Sequence, residues 1–217
     1  MGGQLIFDLL NIKNYNPDDF YVSRNNIQAS EVINIWPSWF NNSAIIYGRR
    51  KSGKTHLANI WKKKANAEFI DLDSQVHFRK INIKRNLIID NFHNLSGSEE
   101  ENFFHFYNQT INKKYYILML IDQDRSPQIQ LKDLKSRISS CTSATIEDPD
   151  DNLVNALIVK FFQDQQIIVY PTVVSFIVKR IERNYEAIDS FLKKIDNLSI
   201  EKKSKISISF LNKFFSF

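Results

Sequence analysis

Cysteine, glycine and proline are scarce in this chain of 217 residues: one cysteine, five glycines and five prolines. A single Cys141 excludes an internal disulfide and suits a reducing cytosol. It stands in "RISSCTSATI" with no histidine nearby, so a small buried residue is expected there, not a nucleophile. The four histidines, His56, His77, His93 and His105, lack metal-ligand spacing, which removes the case for a zinc site. No apolar run approaches the ~18 to 20 residues that cross a membrane as a helix, and the N-terminus carries no signal-peptide pattern. A cytoplasmic protein without membrane contact is the expectation. The net charge of +5 is modest. Its densest basic runs, "IWKKKA" and "IEKKSKISI", read as solvated faces before they read as nucleic-acid grooves. The length allows a sizeable core in one domain, or in a domain with a small appendage.

Against that scarcity, two of the five glycines fall in "YGRRKSGKTHL", Tyr47 to Leu57. The spacing G-x-x-x-x-G-K-T is that of a phosphate-binding P-loop. Gly48 and Gly53 are expected to free the backbone for conformations closed to other residues. The amides of Arg49, Arg50, Lys51 and Ser52 then converge on phosphate oxygens at the positive end of the following helix, beside His56. Lys54 is placed to reach the terminal phosphates, and the Thr55 hydroxyl to ligate Mg²⁺. ADP or ATP with Mg²⁺ is the expected cofactor.

Along the chain, Ser23 is a candidate N-cap for a helix whose face carries Ile27, Val32, Ile33 and Trp36, stopped by Pro37. Strands are expected at 43–47, 67–72, 87–90, 115–121 and 145–146. Helices are expected at 55–65, 74–78 (short), 99–111 and 132–138. This alternation implies a parallel sheet covered on both faces. Past Pro149 only helices are expected, at 151–165, 172–181, 185–199 and 207–215. A boundary near residue 149 follows.

The apolar strand "NLIID" ends in Asp90, the Walker B pattern, which places that carboxylate to hold the water shell of Mg²⁺. The next residue is Asn91, where many ATPases of this architecture carry a carboxylate to activate water. A carboxamide cannot accept a proton, so slow intrinsic turnover is expected.

Together "YGRRKSGKTHL", "LIIDN", "DQDRSP" and "LKSRIS" resemble the AAA+ module of the DnaA-related family, from Gln4 to Phe215. Within it, the chain looks more like the shorter Hda-type regulatory inactivators. The resemblance implies an α/β fold: a P-loop AAA+ domain with a five-stranded parallel sheet (17–149), followed by a small all-helical lid (150–217). In "DFYVSRNN" it implicates Phe20, Val22 and Asn26 in packing against the adenine. It puts Asp124 at the sensor 1 position, Arg137 at the arginine finger, and Lys194 near sensor 2, where lysine replaces the usual arginine. It makes the N-terminal segment 1–16 a sliding-clamp anchor, with Gln4, Leu5, Phe7 and Leu9 resembling the clamp motif and Asp8 standing where proline is common. Because the chain ends soon after the lid, the initiator's helix-turn-helix DNA reader is expected to be absent, leaving DNA contact only indirectly through the clamp. The partners so implied are DnaA and the clamp, with a homo-oligomer left open. The function implied is stimulation of ATP hydrolysis on DnaA. A DnaA-binding adaptor without that stimulation, and a helicase-loader-like ATPase, are the alternatives.

Overall fold

The computed structural model describes residues 20–74, 76–95 and 97–214. Five strands, β1 (Ser43–Gly48), β2 (Ala67–Asp71), β3 (Asn86–Asp90), β4 (Ile117–Asp122) and β5 (Thr142–Ile146), form one parallel sheet in the order β2-β3-β4-β1-β5. The strand that feeds the P-loop lies between β4 and β5, where the strand order reverses and ligand crevices open in such sheets. In register, Gly48 stands opposite Asp122 and Asp71 opposite Asp90, so the loop and the acidic strand ends meet at one edge.

Strand alternation sorts the core into two layers. Ala44 and Ile46 of β1, with Ile88, Leu118 and Leu120, pack under α1 (Ile27–Asn34) and α2 (Lys54–Ala65), around Trp61. Ile45, with Leu87, Ile89, Ile117, Met119 and Ile121, packs under α3 (Glu100–Asn112) and α4 (Lys132–Ser139), around Phe103 and Tyr107. The C-terminal region is helical: α5 (Asp151–Asp164), α6 (Pro171–Val178), α7 (Tyr185–Glu201) and α8 (Ile208–Phe214). It has its own core, built on Val154, Ile158, Phe162, Ile177 and Leu192. Leu153 and Tyr185 reach out of this region into the first layer. The Tyr185 hydroxyl donates to the Glu147 carbonyl at 2.9 Å.

Several local expectations need correction. The N-cap of α1 is Asn26, not Ser23. The Ser23 hydroxyl instead accepts from the Asn25 amide, while its carbonyl accepts from the amides of Asn26 and Ile27. The segment expected to be helical at 74–78 forms a single 3-10 turn at Phe78–Lys80, too short to bury an amphipathic stripe. β5 begins at Thr142, three residues before the expected strand. Cys141 is buried as expected, with its thiol hydrogen-bonded to Ser43 Oγ and burial pushing its pKa up.

Buried Glu100 fixes the entrance of α4. Its carboxylate accepts from the amides of Gln130 (3.0 Å) and Leu131 (2.6 Å), where the chain enters α4. A buried carboxylate with two amide partners at a helix entrance ties α4 to the start of α3.

Candidate nucleotide-binding cleft

The loop after β1 turns through Lys51, whose φ of 64° is left-handed, and Gly53, whose φ is 100°. Gly53 therefore answers the expected need for backbone freedom. Gly48 does not, and its requirement is space: a Cβ there would meet Ser52 Oγ at 2.7 Å and the Ile146 side chain at 3.2 Å. A Cβ on Gly53 would in turn meet the edge of the Phe20 ring at 3.1 Å. Ser52 Oγ is buried without a hydrogen-bond partner among the described residues, an acceptor and donor left over inside the loop. Such a group suits a loop that closes around phosphate oxygens.

One side of the loop opens on a largely apolar cleft of about 540 Å³, lined by Phe20, Tyr21, Asn26, His56, Leu157 and Tyr185 among others. Its walls come from the segment before α1, from α2, and from α5 and α7 of the C-terminal region. Phe20 meets the His56 ring edge to face, with centroids 5.4 Å apart. Asn26 lines the cleft, yet its amide is committed: Oδ1 accepts from the Ser23 amide at 2.8 Å and Nδ2 donates to the Tyr21 carbonyl at 2.9 Å. It braces the segment that carries Phe20 and Tyr21. Val22 is exposed and outside this lining, and Tyr21 takes the place expected for it.

The other side opens on a polar cleft of about 330 Å³, where Arg50, Lys51, Lys54 and Thr55 face Asp73, Asp90, Asn91, Asp122 and Arg125. Lys54 Nζ donates to the carbonyls of Gly48 (2.6 Å) and Arg49 (2.8 Å). Burial lowers the Lys54 pKa, and the nearby carboxylates of Asp122 and Asp90 pull it back. Burial likewise raises Asp90, whose Oδ1 accepts from the Asn91 amide at 2.8 Å. A phosphate beside Lys54 or a divalent cation between Thr55 and Asp90 would restore the charged forms that burial disfavours. The donor set fits Mg-nucleotide. Among the described residues no cluster of His, Cys, Asp and Glu alone could hold a metal ion.

Asn91, which follows the acidic end of β3, has a left-handed φ of 53°. Its Nδ2 donates to Asp71 Oδ1 at 2.7 Å and to Asp73 Oδ2 at 2.9 Å. The amide is a committed donor, and it has no basic site to offer a water. Slow turnover is the expected result for the purified chain, with Asn91→Glu faster if the attacking water is otherwise placed. A phosphate-release assay checks this, and a wild-type rate of several per second, ordinary for enzymes, contradicts it.

Three other expected positions come out differently. Asp124 is exposed, 3.6 Å from Arg49, and outside both linings; Asp122, at the end of β4 and buried, is the acid that reaches the polar cleft. "LMLID" repeats the pattern of "NLIID", an apolar strand closing on aspartate, and that was the signal for it. Arg49 lies between Asp124 and Asp148 (3.4 Å), away from both linings. Lys194 lies on an exposed face of α7 outside both linings, whereas Glu186 and Asp189 of that helix face the loop. Arg137 is exposed on α4 and enters no ion pair of the described residues. Gln4, Leu5, Phe7 and Leu9 lie outside the described residues.

No family model matches the chain. Among curated proteins it is similar to the chromosomal replication initiator protein DnaA of Aliarcobacter butzleri, 29% identical over 207 residues, covering 84% of this chain and 47% of that protein. DnaA of Buchnera aphidicola subsp. Cinara cedri is 26% identical over 200 residues, covering 80% and 45%. The chain thus spans about half the length of the curated relatives it matches. Among solved structures, domain III of the Thermotoga maritima replication initiation protein DnaA superposes with a TM-score of 0.75 at 19% identity, over 94% of this chain and 98% of that one. AMPPCP-bound DnaA from Aquifex aeolicus gives 0.67 at 23% identity, over 89% and 68%. The Thermotoga maritima RuvB branch migration motor gives 0.60 at 16% identity, over 79% and 60%. The chain has the AAA+ P-loop fold, a five-stranded parallel sheet with a helical C-terminal region, and is similar over most of its length to DnaA.

Proposed function

We propose that the chain is a nucleotide-bound partner of DnaA that triggers ATP hydrolysis on it, tethered to the sliding clamp through Gln4, Leu5, Phe7 and Leu9. Residues 17–149 hold the loop and sheet, 150–217 act as a lid, and ADP or ATP with Mg²⁺ occupies the cleft between them. The adenine lies against Phe20 and Tyr21, and the phosphates against Lys54 and Thr55. Thr55 and, through water, Asp90 would hold the cation, and Asp122 would lie at the phosphate end.

One observation carries the trans-acting part. Arg137 stands exposed on a helix pinned by Glu100, outside both linings of the chain's own cleft. A guanidinium so presented is available to the nucleotide site of another molecule, where it offsets charge on the transferring phosphoryl group. A chain that hydrolyses slowly for want of a base at Asn91 is suited to that role, and the same point disfavours a helicase-loader motor.

Hydrolysis of ATP on DnaA, assayed with and without this chain and clamp-loaded DNA, tests the reading. Stimulation is expected only when both are present. The Gln4→Ala, Leu5→Ala variant is expected to lose clamp capture and stimulation while keeping ADP affinity. If that variant captures the clamp as the parent chain does, the N-terminal segment has another role.

A further inference from the structure

Two opposing sets of charges meet at the loop after β1. Arg50 and Lys51 line the polar cleft from the loop. Opposite them, α7 starts on Asn184, whose Oδ1 accepts from the amides of Glu186 (2.8 Å) and Ala187 (3.2 Å), which fixes the first turn. Tyr185 anchors that turn in the core. Glu186 and Asp189, three residues apart, therefore share a face. Glu186 Oε1 lies 4.0 Å from Arg50 Nη1, and Asp189 Oδ2 lies 3.6 Å from Lys51 Nζ. Asp189 also pairs with Lys193 at 2.8 Å, within its own helix.

We propose that Glu186 and Asp189 are specificity-determining residues of the nucleotide site: they compete with the phosphates for Arg50 and Lys51, and they penalise a triphosphate more than a diphosphate. The proposal rests on the reading of the cleft as a nucleotide site. The cations of a phosphate loop attract polyphosphate in proportion to their uncompensated charge. Here two of them already face carboxylates held by a rigid helix turn. A bound polyphosphate must weaken those pairs and also sit near two fixed negative charges. A terminal phosphate adds one more anion beside them, so the penalty grows with the length of the phosphate chain. All four side chains are partly exposed, and pairs of this kind yield to a stronger anion. The effect is a bias on ligand choice, with binding itself retained. Glu186 also stabilises the positive end of α7, as any acid in a first turn does. That ordinary role changes melting and leaves the ratio of two affinities unmoved.

The test is calorimetry at low salt with Mg-ADP, Mg-AMPPCP and adenosine on the full chain. Five proteins are compared: wild type, Glu186→Gln, Asp189→Asn, the double variant that carries both, and Lys54→Ala. In the double variant the AMPPCP affinity is expected to rise about tenfold and that of ADP by no more than about threefold, the gain shrinking in high salt. Adenosine affinity is expected to stay the same. Each single variant moves the ratio in the same direction by less, which guards against a folding defect in the double. An unchanged AMPPCP-to-ADP ratio in a double variant that still binds ADP overturns the proposal, whatever its melting temperature. If Lys54→Ala binds both nucleotides as the wild type does, the phosphate-site reading itself has failed. If Lys54→Ala loses binding while the ratio stays fixed, only the role of the two carboxylates is lost.

Discussion

Arg137→Ala is expected to remove nearly all stimulated hydrolysis on DnaA and to change little else. An arginine finger contributes on the order of 10³ to 10⁵ in rate, because its charge acts on the transferring phosphoryl group in the transition state. The same side chain contributes little to this chain's own stability. It is exposed on α4, where Leu134 is the buried contact. Removing an exposed arginine away from special contacts changes stability by less than about 0.5 kcal/mol. The Glu100 carboxylate still holds the entrance of α4, so the helix stays in place. The variant should melt like the parent and keep its ADP and clamp affinities. Arg137→Lys should rescue little, since an ammonium lacks the planar fork of a guanidinium. The measurement is single-turnover hydrolysis on ATP-loaded DnaA. Normal stimulation by Arg137→Ala removes the trans-acting mechanism and leaves the adaptor in its place.

Lys54→Ala is expected to abolish measurable ADP binding. The ammonium lies at the head of α2 and donates to the Gly48 and Arg49 carbonyls, half-buried between Asp90 and Asp122. Its pKa is depressed by burial, so an approaching phosphate gains a cation that is poorly solvated and bound only to neutral carbonyls. Charge-assisted bonds of this kind contribute about 1.5 to 3 kcal/mol each. Losing two of them weakens binding by at least about a hundredfold. Calorimetry with Mg-ADP reads this directly, and equal affinity in the two proteins would remove the P-loop reading.

What the residues disclosed without a structure was mostly what depends on local pattern. The five strands, the α/β layering and the all-helical C-terminal region follow from apolar runs and alternation, and the P-loop from four fixed residues at fixed spacing. Boundaries failed where tertiary contacts decide them. β5 extends back to Thr142 because it pairs along β1, a partner a hundred residues away. In the cleft, Gly53, Lys54, Thr55 and Asp90 were legible because each has a local signature. Tyr21, Asp122 and Arg125 were not singled out. Their approach to the loop depends on strand order and on the turn braced by Asn26. Glu186 and Asp189 were hidden for the same reason: first-turn acids look alike on every surface helix, and only the packing of α7 turns these two toward the loop.

The contact between Gly53 and Phe20 joins two functions in one clearance. The loop that would hold phosphates and the ring that would hold the base are separated there by the space of a single hydrogen. A substituent at position 53 meets a strained backbone angle, and it also presses on the aromatic wall. Conversely, a larger or differently tilted ring at position 20 presses directly on the turn that orients Lys54. If the cleft holds a nucleotide as proposed, its two halves could not be retuned separately: base selectivity and phosphate grip would share one mechanical tolerance.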